Sequence, residues 1–338
     1  CSSDLQSLYL KVHYPIEFMV AVINNQGGFY RTEVYVHEAR MSGAEIHNPC
    51  INKSEFETTL YGKEIYLGFM HLQGLQGEIA LKIVEERKAN GNYSSLEDFI
   101  NRVPIGIEGL QLLIYIGALR STGKAKNELL VTARRIMMNF KPENRLPQLL
   151  PEPVREYRLP ELKRSSFEDA FDEIELLGFP VSVTPFNLLK TSYRGDVMAR
   201  DLVHHHKKQV KMLAYLVSRK HVPTKMGAMY FGTWIDANGE FFDTAHFTGS
   251  LKGYPFKGGG CYLLLGTVEV DYHFPTITIS KMEKMPFIPD PRYRESDAES
   301  SRTQQKLRED VSMTQRAPYP QEQEIGLPRH KMVSAENL

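Results

Sequence analysis

Three consecutive histidines, His204, His205 and His206, are of a type that could do chemistry, since imidazole is a common zinc ligand. Consecutive side chains point in different directions on a helix or a strand, and no nearby Cys or Asp/Glu arrangement completes a tetrahedral set. The run reads as solvated surface, and no metal ligand is assigned. The carboxylate pairs Glu85-Glu86, Glu168-Asp169 and Asp172-Glu173 fall on the polar faces of expected helices, with no partner motif that would make them acid–base catalysts. No Walker loop, GxSxG elbow or HExxH helix occurs. Cys1, Cys50 and Cys261 lie far apart and leave an odd one over, so they form neither a disulfide framework nor a CxxC metal spacing. No catalytic residue follows from residue types and spacing.

Binding chemistry is better represented. In the stretch from Leu72 to Arg87, Gly74, Leu75, Gln76 and Gly77 form an expected bend ahead of a helix whose buried face is Ile79, Ala80, Ile83 and Val84. Backbone N–H groups pointing outward from a helix N-terminus make an anion site that can hold a DNA phosphate without basic side chains. Lys82 lies one turn further on. The alternative is an ordinary tight helix–helix turn. A second group lies toward the C-terminus, where Arg219, Lys220, Lys225, Lys252 and Lys257 alternate with Tyr230, Trp234 and other aromatics. Cations track phosphates and aromatic faces stack bases, so single-stranded DNA is the natural ligand there. About half of those aromatics must instead be core, because a small barrel points every second side chain inward.

The elements that must hold these groups follow from periodicity. Up to about Met138 the pattern is mainly helical, with Pro15 in a first turn, Thr32 as the cap of a helix ending at Gly43, and Ser95 with Asp98 as a capping box. The stripe Ile107, Leu110, Leu113 and Ile114 closes at Gly117, and Tyr61-Gly62-Lys63 marks a short hairpin between residues 56–60 and 65–69. Residues 141–164 are rich in proline and charge and read as a linker. Ser166 and Asp169 then open an amphipathic helix that Gly178 ends. After Lys207 the period changes to two, predicting strands over 210–218, 229–235, 241–247, 262–270 and 276–282. Five strands with a longer excursion between the third and fourth fit the OB-fold barrel, with an unrelated open antiparallel sheet as the alternative. From about Pro291 the apolar pattern stops, which predicts a disordered tail. The predicted fold class is therefore multidomain, α plus all-β.

The chain has 338 residues with 41 basic and 41 acidic side chains, so no global field draws it to nucleic acid or to an anionic membrane; any such binding is local. No apolar run approaches the ~20 residues of a membrane-spanning helix, and the expected location is cytoplasmic.

Several stretches go beyond pattern. Gln6-Ser7-Leu8-Tyr9-Leu10-Lys11, Tyr14-Pro15-Ile16-Glu17-Phe18-Met19, Asn24-Asn25 and Val36-His37-Glu38-Ala39-Arg40 resemble the end of the fingers region in the alpha subunit of bacterial DNA polymerase III. Leu67-Gly68-Phe69, the Gly74 hairpin with Ile83-Val84-Glu85-Glu86-Arg87, Ser95 to Phe99, Ile116 to Leu119 and Glu175-Leu176-Leu177-Gly178-Phe179 extend the resemblance in order and spacing over residues 6–290. It implies a fingers tail at 1–55, a helix-hairpin-helix module at 56–125 and a helical segment with the Pro-rich linker at 126–190. An OB-fold at 191–290 and the tail at 291–338 complete the expected order. It also implies primer-template and single-stranded DNA as partners, together with the rest of a polymerase subunit. The family's palm, which bears the metal-binding aspartates, has no counterpart, so the resemblance places no cofactor in this chain and leaves Mg2+ to the parent polymerase. Gln76 stands where the hairpin usually has its second glycine, and Leu5 where the family is usually aromatic. A sliding-clamp contact has one candidate, Gln148-Leu149-Leu150, which lacks the usual terminal aromatic. Nothing resembling the tau-contacting domain follows the OB-fold, as in the error-prone branch of the family or in a truncation. The rival expectation is a replisome interaction module that touches no DNA.

Overall fold

The computed structural model describes residues 2–26, 28–139, 167–224 and 227–293. The described residues up to Pro291 form one compact unit. The expected linker at 141–164, Ser166 of the expected capping box and the tail from residue 294 lie outside the described residues.

The chain begins with three helices, α1 (Ser2–His13), α2 (Pro15–Asn24) and α3 (Thr32–Met41). Pro15 opens α2, where its missing N–H costs no hydrogen bond, and Met19 and Ile23 carry the buried face. Thr32 does not cap α3: it is already the first helical residue, and Arg31 before it offers no capping side-chain bond.

Strands β1 (Glu45–His47), β2 (Thr59–Tyr61) and β3 (Glu64–Tyr66) form a sheet in the order β1-β3-β2. The β2–β3 hairpin turns on Gly62-Lys63 with Gly62 at φ +64°, and its strands are shorter than expected because residues 69–71 coil into a 3-10 turn. β1 joins in parallel, and three residues are too few for a period to show. Register rows put Ile46, Ile65 and Leu60 on one face, packed on Met19, Ala39 and Ala44.

Helices α4 (Gly77–Asn90), α5 (Leu96–Arg102), α6 (Ile107–Tyr115), α7 (Lys126–Asn139) and α8 (Glu168–Leu177) share one core around Ile83, Leu96, Phe99, Leu110 and Leu113. Ser95 caps α5 by accepting from Asp98 N at 3.1 Å, while the Asp98 carboxylate reaches back to Ser94 N at 2.9 Å, one residue short of the expected box. Two expected surface carboxylates are buried instead. Glu173 accepts from Asn48 Nδ2 (2.6 Å), Val181 N (2.7 Å), Ser182 N (2.8 Å) and Ser182 Oγ (2.9 Å), and Asp172 meets Lys126 Nζ at 2.5 Å. Helical periodicity assigned them to a polar face, but the turn that follows Gly178 covers Glu173 and Lys126 of α7 covers Asp172, so that face points into the chain. A buried carboxylate that collects this many donors is held at little cost.

Beyond α8, β4 (Gln209–Thr224), β5 (Gly227–Asp236), β6 (Phe241–His246), β7 (Cys261–Asp271) and β8 (Phe274–Lys284) close a barrel in the order β4-β5-β6-β8-β7, with α9 (Thr248–Gly253) between β6 and β7. Pairing is antiparallel except between β6 and β8. The last strand thus returns to lie between the third and the fourth, which is the Greek-key closure of an OB-fold and excludes the open sheet. β4 runs past its expected end at Ser218 because a bulge between Leu216 and Ser218 bends it, so that it serves β7 with one half and β5 with the other. The interior is Leu216, Trp234, Tyr262, Leu264, Val268 and Ile277.

α3 seals the helical region to the barrel. Val34 packs with Val217 and Ile235, Tyr215 OH donates to the Glu33 carboxylate at 3.1 Å, and His37 Nε2 donates to Gly239 O at 2.8 Å. On the same side of the helix as Glu33 and His37, Arg40 Nη2 donates to Val181 O at 2.8 Å.

Candidate nucleic-acid interface

The Gly74 bend lies at the surface. Leu72 is buried and Leu75 half-buried against the helical core, while Gln73, Gly74, Gln76 and Gly77 are exposed. Gln73 N donates to Leu176 O at 2.8 Å, which ties the bend to the C-terminal turn of α8. Gly74 has φ +84°, a left-handed conformation that favours glycine, and a Cβ there would also press on the end of the Leu112 side chain at 3.2 Å. Gln76, by contrast, is extended at φ −67°, a conformation open to any residue. The family glycine at that position is therefore dispensable for the backbone path seen here. Gln76 is also the N-cap of α4 and makes no side-chain capping bond, and the N–H groups of Gly77 and Glu78 have no acceptor among the described residues. The positive end of the α4 dipole is thus presented to solvent. Glu78, exposed in the same turn, opposes an anion there, and Lys82 one turn on is exposed and only loosely paired with Glu85 at 4.0 Å.

On the barrel, Arg219, Lys220, Lys252 and Lys257 are exposed, with no acidic partner among the described residues; Lys225 lies outside them. Lys257 is fixed through its backbone, its N–H donating to Tyr262 OH at 2.8 Å and its carbonyl accepting from Lys284 Nζ at 3.2 Å. Arg219 stands over the Phe256 ring at 5.5 Å. Two aromatic assignments change. Trp234 is completely buried, its Nε1 donating to Thr244 Oγ1 at 2.7 Å and its ring stacked on Phe256 at 6.1 Å, so it offers no face to a base. It falls on the inward side of the β5 alternation. Tyr230 is half-buried between His221 (4.9 Å) and Phe256 (5.8 Å), at the mouth of the same aromatic plug.

The β7–β8 hairpin carries exposed aromatics that periodicity missed. Tyr272 and His273 form its two-residue turn with φ +49° and +70°, both left-handed and neither a glycine. Tyr272 is 96% exposed and Phe274 78%. Strands read as ending at Val270 and restarting at Thr276 left these residues in an anonymous loop. The signal available was two large aromatics inside a five-residue gap between strands. Phe231, directly opposite Lys220 across β4–β5, is a further exposed ring.

The three consecutive histidines diverge: His205 Nδ1 meets Asp201 O at 2.9 Å and His206 Nδ1 accepts from Val270 N at 3.1 Å. Cys50 and Cys261 are buried free thiols, and burial pushes Cys261 up to about 12.

A helix-hairpin-helix module followed by an OB-fold barrel defines the class of this chain, and the family model for the helix-hairpin-helix motif matches residues 43–129. Among curated proteins it is 36% identical over 130 residues to an error-prone DNA polymerase of Mycobacterium bovis, covering 38% of this chain and 12% of that protein. It is 30% identical over 277 residues to the DNA polymerase III subunit alpha of Staphylococcus epidermidis, covering 77% of this chain and 25% of that protein. Its homologues are therefore alpha subunits of bacterial DNA polymerase III and error-prone DNA polymerases, and the chain spans a quarter or less of the length of these two. Among solved structures, the second OB-fold domain of replication protein A from Methanococcus maripaludis is similar at 17% identity and a TM-score of 0.18, over 25% of this chain and 87% of that one.

Proposed function

We propose that this chain is the DNA-positioning, C-terminal part of a polymerase III alpha-type subunit, acting in replication or repair synthesis in the cytoplasm. The observation that carries the reading is the exposed Gly74 bend, whose unpartnered amides at the head of α4 suit a phosphate of the primer-template duplex. Arg219, Lys220, Lys225, Lys252 and Lys257 follow a single-stranded template, and Tyr272 and Phe274 give its bases a surface to stack on. Glu78 keeps the affinity of the bend modest, so binding is weak and salt-sensitive. The chain itself transfers no nucleotide: Mg2+ and the aspartates that hold it belong to the palm of the parent protein. A clamp contact would rest on Gln148-Leu149-Leu150, outside the described residues.

A replisome interaction module is the second reading. The zero net charge and the exposed apolar side chains of α1, among them Leu8 and Val12, favour it.

Gel shifts with single-stranded DNA over a salt series separate the two. Replacing Lys225, Lys252 and Lys257 together by Gln should make the salt dependence shallower by about two logarithmic units per unit of log salt, at ~0.7 for each lost phosphate contact. An unchanged slope, or no DNA affinity at low salt, defeats the DNA-binding reading. Templated primer extension by the chain alone defeats the claim that it is catalytically silent.

A further inference from the structure

We infer that the outer face of the small three-stranded sheet is a divalent transition-metal site formed by Glu45, His47 and Glu64. The inference is independent of the DNA-binding reading.

The register creates the site. Glu45 pairs with Glu64 and His47 with Tyr66, and residues two apart along a strand share a face, so all four side chains stand on the side opposite Ile46, Ile65 and Leu60. One ligand atom from each of Glu45, His47 and Glu64 lies within 4.8 Å of the others. Two observations make this more than a chance meeting of polar groups. First, two carboxylates sit directly across a strand pair, an arrangement that repulsion disfavours unless a cation lies between them. Second, His47 Nε2 is shut off from solvent without a hydrogen-bond partner; it stands 3.6 Å from Glu64 Oε1, an ion-pair distance when the ring is protonated but too long for a hydrogen bond. Thr59 Oγ1, in the same cross-strand row as His47 and Tyr66, is a second orphaned atom of this sheet. The His47 ring is held by stacking on Tyr66 at 4.6 Å and 23°. Arg120, the nearby cation that could compete, directs its guanidinium to Gly117 O at 2.9 Å and Asn48 O at 3.4 Å.

One imidazole nitrogen with two carboxylates is a donor set for Zn2+ and its neighbours, with water completing the shell; Mg2+ and Ca2+ want oxygen alone. Such a site would staple β1 to β3, a parallel pair of three residues each.

Calorimetric titration of Zn2+ into the full chain tests this, with H47Q, E64Q and a control in which His204, His205 and His206 are all replaced by Gln. One equivalent should bind to the wild type and to the control, unaffected by excess Mg2+, while H47Q and E64Q each weaken binding about tenfold or more. X-ray absorption at the zinc edge should show light nitrogen or oxygen neighbours, the outer-shell scattering of one imidazole, and no sulfur. Melting curves without zinc show whether a variant is folded, and E45Q, at an exposed position, stands in if H47Q is not. No stoichiometric binding by the wild type, equal affinity in the folded variants, or loss of binding in the triple-histidine control overturns the proposal.

Discussion

His246 shows how strongly the barrel interior acts on one side chain. It is 1% exposed, its ring shares a hydrogen bond of 2.7 Å with Thr244 Oγ1, and burial pushes its pKa down from 6.5 to about 4. The folded chain therefore takes up this proton less readily than the unfolded chain. The stability that follows is fully present above the unfolded value near 6.5 and is lost as pH falls toward 4. A shift of this size corresponds to at most about 3 kcal/mol. His246→Gln should accordingly reduce the difference in unfolding free energy between pH 7 and pH 4.5, as measured by urea denaturation at each pH. An equal acid sensitivity in the two proteins would show that the imidazole is not responsible. Arg87 illustrates the opposite solution to burial, donating to Ile51 O (2.8 Å), Ser54 O (2.7 Å) and Glu55 Oε1 (2.8 Å), so that its charge is satisfied where it lies.

Among the elements, the β7–β8 hairpin carries the clearest tension between stability and use. A tyrosine and a histidine occupy left-handed positions that cost an L-residue roughly 1 kcal/mol each relative to glycine. Tyr272→Gly should raise stability by several tenths to about 1 kcal/mol in thermal denaturation and, in the same protein, weaken single-stranded DNA binding by removing a stacking face worth on the order of 1–3 kcal/mol. If the variant gains stability and binds DNA as before, the hairpin tip is not part of the interface. This element also marks where the sequence stops being readable. Helices with a continuous apolar stripe, such as α6, and the five barrel strands were legible because each has a stretch with one face buried, as β4 does over residues 210–217. β1 was too short to show a period, and the bulge in β4 broke the alternation at Ser218. Asp172 and Glu173 were misplaced because periodicity marks the polar side of a helix without saying whether water or another turn of chain covers it. Of the candidate site, the bend and the exposed cations followed from composition and turn chemistry, whereas separating Trp234 inside from Tyr272 outside required knowing which way β5 faces and where β7 ends.

At the scale of the molecule, α3 makes the helical region and the barrel a single object within residues 1–291. Glu33, with its pKa raised by burial against the lowering pull of Arg31 and Tyr215, and the apolar contacts of Val34 lie in the seam. Packing of this kind predicts one cooperative transition. The chain has a single tryptophan, Trp234 in the barrel, so its fluorescence follows the barrel while far-ultraviolet circular dichroism is dominated by the helices. Urea transitions followed by the two signals should coincide, and Val34→Ala should move both midpoints together; separated transitions would show two independently folding parts. The bond from Gln73 to Leu176 carries this connectedness into the order of synthesis. A ribosome making the chain from its N-terminus extrudes the glycine bend long before it makes the carbonyl that pins it. The nascent product must carry that loop unanchored until α8 emerges, and a transcript stopped anywhere before α8 yields a hairpin that is never fastened.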